Sequence, residues 1–265
     1  MTQKLSAIKE VFKIPIQYRH LIWILALKEL KIRYRGSAFG FFWSILNPLL
    51  LLLIYVFVFT VIFKASAKAY PVYLFVGLLP WNWFAGSINE ATMSIVSSGA
   101  FVNKSTLPSE LLVIVKVVSN FINYALSLPV LLLFIFIFGV SIGLPLIVFP
   151  VIIIIQFFIT CGIGFFVATW EVYYRDMQHI VMNLLQFLFF GMPIMYFEQQ
   201  LPLKAQKLIF LNPLAYLIKS YQSIFYYNWF PKPFYLALLA LVAVVVYILG
   251  FLYFRAHKEE FPELV

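Results

Sequence analysis

Residues 117–170 read VVSNFINYALSLPVLLLFIFIFGVSIGLPLIVFPVIIIIQFFITCGIGFFVATW and contain no Asp, Glu, Lys or Arg. A hydrocarbon layer about 30 Å thick requires roughly 20 apolar residues per helical crossing. This stretch is therefore long enough for two crossings, and the Gly-Val-Ser-Ile-Gly sequence at 139–143 predicts the turn between them. The hydrocarbon layer contains no water, so the backbone N–H and C=O groups of a crossing must bond within the segment, as they do in an α-helix. The stretch therefore predicts an all-α integral membrane protein.

The composition of the whole chain agrees with this prediction. Apolar residues make up 64% of the 265 residues and charged residues only 11%, whereas soluble domains carry about 25% charged residues. The single cysteine, Cys161, cannot form an internal disulfide. An ordinary soluble domain is therefore excluded.

Outward from the central stretch, the sequence predicts six transmembrane helices within one domain of residues 1–265. The domain divides into a cytoplasmic or interfacial segment (1–35), a six-helix membrane region (36–254) and a cytoplasmic tail (255–265). The predicted crossings are residues 41–63, 70–97, 111–138, 144–170, 179–197 and 233–254.

Two further segments mix polar and apolar residues. They are not long enough or apolar enough to cross the membrane. Residues 5–35 place apolar and basic side chains at helical spacing, with a break expected at Pro15. This pattern predicts an N-terminal amphipathic helix in the membrane interface, or alternatively a solvated cytoplasmic helix. Residues 198–232 contain three prolines and predict outer re-entrant helices between the fifth and sixth crossings.

The distribution of Lys and Arg predicts the orientation. With six crossings, thirteen of the 19 basic residues fall on the side of the N terminus and six on the opposite side. The positive-inside rule then places both termini in the cytoplasm. The formal net charge of +9 is thus mainly a topology signal. Nucleic-acid binding is not expected, because the basic residues flank membrane segments and form no separate domain.

Several kinds of chemistry are absent from the sequence. There is no Gly-x-x-x-x-Gly-Lys-Ser/Thr phosphate loop, so ATP hydrolysis by that route is excluded. Three histidines and one cysteine give no metal-ligand spacing, and we expect neither a metal nor a bound cofactor in this chain. Glu90 is the one carboxylate expected within a crossing, which is too few for typical ion-coupled transport. If the protein moves a substrate, the energy is expected to come from a partner.

Four short motifs are distributed over nearly the whole chain. They are KIRYRGSAFGFFW (31–43) with NPL (47–49), NK (103–104) with LPSEL (107–111), YRD (174–176) with LQF (185–187) and MPIMY (192–196), and LNPL (211–214) with YQ (221–222). In this order and spacing they resemble the ABC-2-type permeases that export polysaccharides, including the O-antigen, capsule and teichoic acid exporters.

The resemblance implies a set of partners and a location. The expected assembly is a homodimer with two copies of a separate ATPase subunit, which binds ATP and Mg²⁺. The expected substrate is a polysaccharide on a polyprenyl pyrophosphate carrier, exported across the bacterial cytoplasmic (inner) membrane. Two rival functions stay open: an ABC-2 permease for small hydrophobic drugs or lipids, and a passive membrane channel or scaffold.

Basic residues just before the first crossing are candidates for binding the substrate headgroup. Lys31, Arg33 and Arg35 either fix the topology or attract the pyrophosphate, to which a guanidinium pairs well. Gly36 and Gly40 form a small-xxx-small pair that either permits close helix approach or is incidental.

The two cytoplasmic loops are candidates for coupling to the ATPase. The resemblance implies a coupling helix in the first loop, for which a passive connecting turn is the alternative. In the second loop the alternative is a local ion pair or helix cap. The candidate coupling residues are Lys104, Leu107, Pro108 and Glu110 in the first loop, and Arg175 and Asp176 in the second.

Aromatic side chains on the first and fifth crossings are candidates for lining the channel of the dimer. They are Tyr55, Phe59, Phe187, Phe190 and Tyr196. Aromatic faces stack on the C–H faces of sugar rings and tolerate many sugar sequences. Packing against lipid or against neighbouring helices is the alternative for each of them.

Overall fold

The computed structural model describes residues 11, 13–37, 39–58, 69–99 and 107–265. In these residues all regular secondary structure is helical, which confirms the predicted all-α class. The α-helices are α1 (Arg19–Arg33), α2 (Trp43–Val56), α3 (Tyr70–Thr92), α4 (Glu110–Ile137), α5 (Phe149–Tyr173), α6 (Met177–Gly191), α7 (Leu203–Ile209), α8 (Pro213–Phe225), α9 (Pro233–His257) and α10 (Phe261–Leu264).

Within the described residues, three helical segments are long and apolar enough to cross a membrane. They are α4, the segment Leu144–Tyr173 that contains α5, and α9. Each matches a predicted crossing within a few residues. The predicted turn after α4 is also present: Gly139 has a φ of 62°, and the Val140 N–H donates to the Ile135 carbonyl at 3.0 Å. Glycine at this position ends the helix because it adopts the left-handed conformation without strain.

The other predicted crossings agree less closely. Helix α3 begins at Tyr70 as predicted and has 23 residues, whereas α2 and α6 have 14 and 15. The predicted first crossing ends in residues 59–63, which lie outside the described residues. The predicted end of the fifth crossing at residue 197 was wrong: α6 ends at Gly191, since Pro193 lacks an N–H and disfavours a helical conformation at the residue before it.

The chain after α6 is not helical from residue 192 to residue 197. Its carbonyl groups are bonded to buried side chains from other elements. The hydroxyl groups of Tyr70 and Tyr73 and the side-chain amide of Gln222 donate to carbonyls of this segment at 2.7, 2.9 and 2.7 Å. Irregular backbone is tolerated at membrane depth only with such partners.

Helix α3 is the centre of the bundle, because it packs against α2, α4, α5, α6 and α8. The closest helix pair lies beside it. A Cβ on Gly162 of α5 would stand 2.6 Å from the Val246 carbonyl carbon of α9, and a Cβ on Gly250 would stand even closer to the Gly162 carbonyl. Real Cβ atoms do not approach so closely, so both glycines are required by the packing of α5 against α9.

Helix α1 packs on α4. Ile22, Ala26 and Leu30 are buried, while Trp23 and Ile24 are half exposed or more. The predicted break at Pro15 was wrong. Residues 13–17 are helical, and the chain turns at Tyr18 while its N–H still donates to Ile14 at 3.0 Å. The missing N–H of Pro15 therefore does not end the helix, and the turn comes three residues later.

The pair of glycines after α1 does not serve helix packing. Gly36 and Gly40 have positive φ values of 79° and 48°, and a Cβ on either would meet no heavy atom within 4 Å. Both belong to the turn between α1 and α2, where only glycine adopts these angles readily. The helix-approach interpretation was wrong.

The predicted re-entrant region folds into two short helices, α7 and α8. Helix α8 begins with Pro213, and the Asn212 side chain caps it by accepting from the Leu214 N–H at 3.0 Å. It is buried on α3, α5 and α9. This burial gives a largely polar connection a fixed place in the bundle.

Candidate functional site

An ion pair joins the end of α1 to α3. The Arg33 guanidinium nitrogen Nη2 lies 2.5 and 2.7 Å from the two carboxylate oxygens of Glu90. Its Nη1 donates to the Asn120 side-chain oxygen at 3.3 Å. A second pair lies nearby, where Lys116 Nζ is 2.7 Å from the Glu29 carboxylate. These pairs tie α1 to the bundle and hold Arg33 in one place.

A cavity of about 620 Å³ opens beside Arg33, between α2, α3 and α4. Its wall combines side-chain amides with indole and phenol rings, so it offers hydrogen-bond donors within an apolar surround. Of the candidate binding residues, only Arg33 lies in this wall, and Asn47 comes from the quoted NPL motif. The members that the sequence did not indicate include Asn82, Asn120, Asn123, Trp83 and Tyr124.

A smaller groove of about 210 Å³ continues from this cavity, with which it shares Leu51, Asn82 and Ala85. Three rings border the groove. The Phe189 ring centroid lies 5.8 Å from that of Tyr55 and 5.9 Å from that of Trp81. The groove thus runs along α2, α3 and α6 from a polar end to an aromatic end.

The predicted channel residues lie in different surroundings. Tyr55 borders the groove. Phe187 and Phe190 of α6 are 73% and 56% exposed in a single copy. Tyr196 is half-buried and donates to the Phe190 carbonyl at 3.3 Å, while Phe59 lies outside the described residues. Of the four that the structure describes, only Tyr55 therefore borders the groove.

The first candidate coupling loop ends at a buried carboxylate. Glu110 is fully buried at the start of α4, and Lys258 Nζ, beyond the end of α9, lies 3.1 Å from it. Leu107 and Pro108 are partly buried in front of it. Lys104 lies outside the described residues. The buried Glu110 thus attaches the end of the loop to the segment after α9.

The second candidate coupling loop contacts the same C-terminal segment, residues 258–265. Arg175 Nη2 donates to the Leu264 carbonyl at 3.0 Å, and the Tyr173 hydroxyl bonds to the Glu260 carboxylate. Asp176 is exposed at the N-cap of α6 and makes no side-chain cap bond.

The carboxylate that accepts a hydrogen bond from the first turn of α6 belongs to α5. Glu171 accepts from the Gln178 N–H at 2.7 Å. A cap by the adjacent charges of the loop was one of the alternatives left open by the sequence, and it was wrong for Asp176, because the N–H of Gln178 is bonded to Glu171 instead.

The C-terminal segment connects the two loops. Val265 lies against Gly99 at the end of the α3 region, and Phe261 is fully buried against Phe254. Both loops therefore contact one packed element. Among the residues that the structure describes, no group of three or more His, Cys, Asp or Glu could hold a metal ion.

The profile of the ABC-2 type transporter family matches residues 20–226. The chain is 38% identical to the O-antigen export system permease protein RfbA of Myxococcus xanthus, over 94% of this chain and 96% of that protein. It is 30% identical to a protein of the same name from Klebsiella pneumoniae, over 92% and 95% of the two chains.

A more distant relative, the polysialic acid transport protein KpsM of Escherichia coli, is 24% identical over 89% of this chain and 92% of that protein. The first of these relatives and the family profile each cover most of the chain. The chain therefore belongs to the ABC-2 type transporter family and is a multi-pass transmembrane permease subunit, whose ATPase is a separate chain.

Proposed function

We propose that this permease exports a polysaccharide of the O-antigen or capsule type, carried on polyprenyl pyrophosphate, across the bacterial cytoplasmic membrane. The observation that carries the proposal is the similarity over nearly the full length to an O-antigen export permease. Two copies form a homodimer with two ATPase subunits, which bind ATP and Mg²⁺. Each copy crosses the membrane six times, with both termini in the cytoplasm.

The geometry supports this orientation. Arg33, Lys116, Arg175 and Lys258 lie at the end of the bundle where α4 begins and α9 ends. Such a basic end is typical of the cytoplasmic side. The candidate coupling loops lie at the same end, where a cytoplasmic ATPase would reach them.

Arg33 supports a headgroup site because it already holds an anion. Its guanidinium binds the Glu90 carboxylate at the mouth of the 620 Å³ cavity. A diphosphate presents more charge and more acceptor oxygens to the same donors, so it replaces the carboxylate. The exposed side chains of Lys31 and Arg35 add positive charge to the approach.

The aromatic groove supports a polymer path. The rings of Tyr55, Trp81 and Phe189 border it, and the exposed apolar faces of α2 and α6 lie at its edges. A second copy that covers these faces would enclose the groove. Phe187 and Phe190 then complete the aromatic lining from the same helix.

The C-terminal segment supports coupling between the loops and the helices. The ATPase binds the first loop around Lys104, Leu107 and Pro108 and the second loop around Arg175 and Asp176. Glu110 and the C-terminal segment hold both loops at fixed positions relative to α9. A displacement imposed by ATP binding thereby reaches the bundle.

The test is made in cells that lack the chromosomal copy of the gene. We expect loss of the surface polysaccharide and accumulation of lipid-linked polymer on the cytoplasmic leaflet, with recovery on complementation. A partner ATPase with an inactivated phosphate loop should give the same accumulation. Unchanged surface polysaccharide, together with new sensitivity to hydrophobic drugs, would replace this proposal by the drug or lipid permease.

A further inference from the structure

A third cavity, of about 400 Å³, lies at the opposite end of the bundle from the basic loops. It is formed by the segment before α7, by α7 and α8, and by the start of α9. The start of α9 is outer, because the other end of this helix leads to Lys258 and the cytoplasmic loops. The volume falls in the range of about 300–1,000 Å³ for small-molecule sites.

Two stacked pairs of rings face this cavity. The Tyr227 and Trp229 rings are inclined by 22° with centroids 5.3 Å apart, and the Tyr216 and Tyr235 rings by 20° with centroids 4.6 Å apart. The Trp229 side chain is 68% exposed. The cavity therefore has aromatic rings on both sides, and Trp229 is the exposed one.

The charged side chains of the cavity are Glu198, Lys219 and Lys232, which leave one net positive charge. Lys219 Nζ lies 2.6 Å from a Glu198 carboxylate oxygen, and it also stands 4.7 Å above the centre of the Phe210 ring. Gln199 and Gln206 add side-chain amides to the wall. The ion pair leaves free lone pairs on the carboxylate, so the cavity offers both donors and acceptors without a strong field for ions.

We propose that this cavity is an outer binding site for a pyranose unit of a saccharide. A pyranose has a face of C–H groups and a rim of hydroxyl groups. The C–H face packs on the electron-rich face of an aromatic ring. The hydroxyl rim exchanges hydrogen bonds with Glu198, Lys219 and the two glutamines. The site rests on the proposed function, which supplies a saccharide at this side of the membrane.

The rings are fixed before any sugar arrives. Tyr227 lies edge-on to Tyr226 with centroids 4.9 Å apart, and the Trp229 backbone N–H donates to the Ser223 carbonyl at 2.8 Å, which fixes the backbone that carries the Trp229 ring. Burial raises the pKa of the Tyr227 hydroxyl, which therefore stays protonated and able to donate. A site prepared in this way avoids the entropy loss of ordering side chains on binding.

Binding is measured with the full-length permease in lipid nanodiscs. The probe is a mixture of short oligosaccharides, about four to eight sugars long, released by mild acid from the surface polysaccharide of the producing cell. The variants are Trp229→Ala, which removes the open ring, and Glu198→Gln, which removes the charge and keeps the shape. Phe234→Ala is the matched control, because Phe234 is 73% exposed beside the cavity without lining it.

We expect the wild type and Phe234→Ala to bind the probe equally. The Trp229→Ala variant should bind at least about five-fold more weakly, in line with the contribution of one aromatic contact. Glu198→Gln should weaken binding too, with no loss of the folded dimer.

Three outcomes would overturn the proposal. They are no binding by the wild type at about 10 mM probe, unchanged binding in both cavity variants, or equal loss in Trp229→Ala and Phe234→Ala. The last would indicate that these rings anchor the protein in lipid. Each is separable from failure of the proposed function, which is read from loss of surface polysaccharide in cells without the permease.

Discussion

The helix pair α5–α9 and the helix pair α2–α6 are built in opposite ways. Helices α5 and α9 approach until backbone meets backbone at Gly162 and Gly250, and Phe165 packs there against the Phe251 ring with centroids 5.6 Å apart. Helices α2 and α6 instead flank an open groove and expose apolar side chains such as Leu53 and Phe187. The first pair is complete within one copy, whereas the second needs another surface.

This difference predicts separate roles for the two helix pairs. Two backbones in contact cannot relieve a clash, because a backbone has no alternative rotamer as a side chain has. Rings along a groove have alternative rotamers and can repack as a substrate advances. We therefore expect substitutions in α5–α9 to change stability and substitutions along the groove to change transport.

The largest effect is expected from Gly250→Ala in α9. Alanine raises helix propensity by about 1 kcal/mol, but its Cβ overlaps the Gly162 carbonyl. Overpacking of this kind costs about 1–3 kcal/mol or more. Thermal unfolding in detergent should show a lower midpoint, or little folded protein.

The matched control is Gly191→Ala in α6, where a Cβ would meet no heavy atom within 4 Å. It should unfold at the wild-type temperature. Equal stability of the two alanine variants would remove the contrast between the tight pair and the open pair.

The next effect concerns the end of α9, where the tight pair reaches the cytoplasmic loops. Lys258→Met removes the partner of the buried Glu110 carboxylate. Breaking a buried pair costs about 3–5 kcal/mol, and less here because Lys258 is partly exposed. We expect a lower unfolding midpoint and weaker stimulation of the ATPase in reconstituted exporter.

A second variant separates charge from packing. The double change Lys258→Met with Glu110→Leu removes both members of the pair and should recover most of the stability. If ATPase stimulation recovers equally, Glu110 serves folding alone and has no part in coupling.

A smaller effect on folding, and a clear effect on transport, is expected along the groove. Tyr55→Ala and Phe189→Ala remove two of the rings that border it. Export per folded dimer should fall about two- to ten-fold, or resting vesicles should leak ions. Phe187→Ala removes a ring that does not border the groove in one copy, so its effect should be smaller.

Vesicle flux normalised to folded protein distinguishes these variants. Wild-type flux in both Tyr55→Ala and Phe189→Ala would exclude the groove as the path. A loss in Phe187→Ala as large as theirs would mean that the part of the lining completed by the second copy matters as much as the groove within one copy.

The smallest effect is expected at the inner end of the groove. Glu90→Gln releases Arg33 from its carboxylate partner, so the apparent affinity for lipid-linked substrate should rise. Partly exposed pairs contribute about 0.2–1 kcal/mol, which corresponds to no more than about five-fold. Initial export rates at limiting substrate measure it. Arg33→Ala should change the affinity in the opposite direction, provided that cysteine accessibility shows the normal orientation.

Glu29→Gln is the control, because it breaks the neighbouring pair with Lys116 and leaves Arg33 bound. An equal rise in both glutamine variants would mean that loosening α1 is the cause. Arg33 would then keep only its role in topology.

The sequence was sufficient for the long elements of this fold. Long apolar runs predicted α4, α5 and α9 to within a few residues. It was insufficient where a contact joins distant parts of the chain. The Gly162–Gly250 contact has no local periodicity, whereas Gly36 and Gly40 show the expected spacing but lie in a turn.

In the candidate site, too, the sequence did not indicate contacts between distant parts of the chain. Arg33 was predicted because basic residues before a crossing are conspicuous, but its pairing with Glu90 bridges helices far apart in sequence. Phe189 was missed between Phe187 and Phe190 because several aromatic neighbours give no indication of which ring faces inward. Only the rotation of α6 against α3 decides that Phe189 meets Trp81.

The non-helical segment 192–197 also has a consequence for biosynthesis. The ribosome delivers Tyr70 and Tyr73 before this segment and delivers Gln222 after it. An unpaired carbonyl in lipid costs several kcal/mol, so the nascent segment depends on hydroxyl groups that are already inserted. Helix α3 is thus the template on which the later half of the chain is assembled, and α8 secures that assembly as the last donor to arrive.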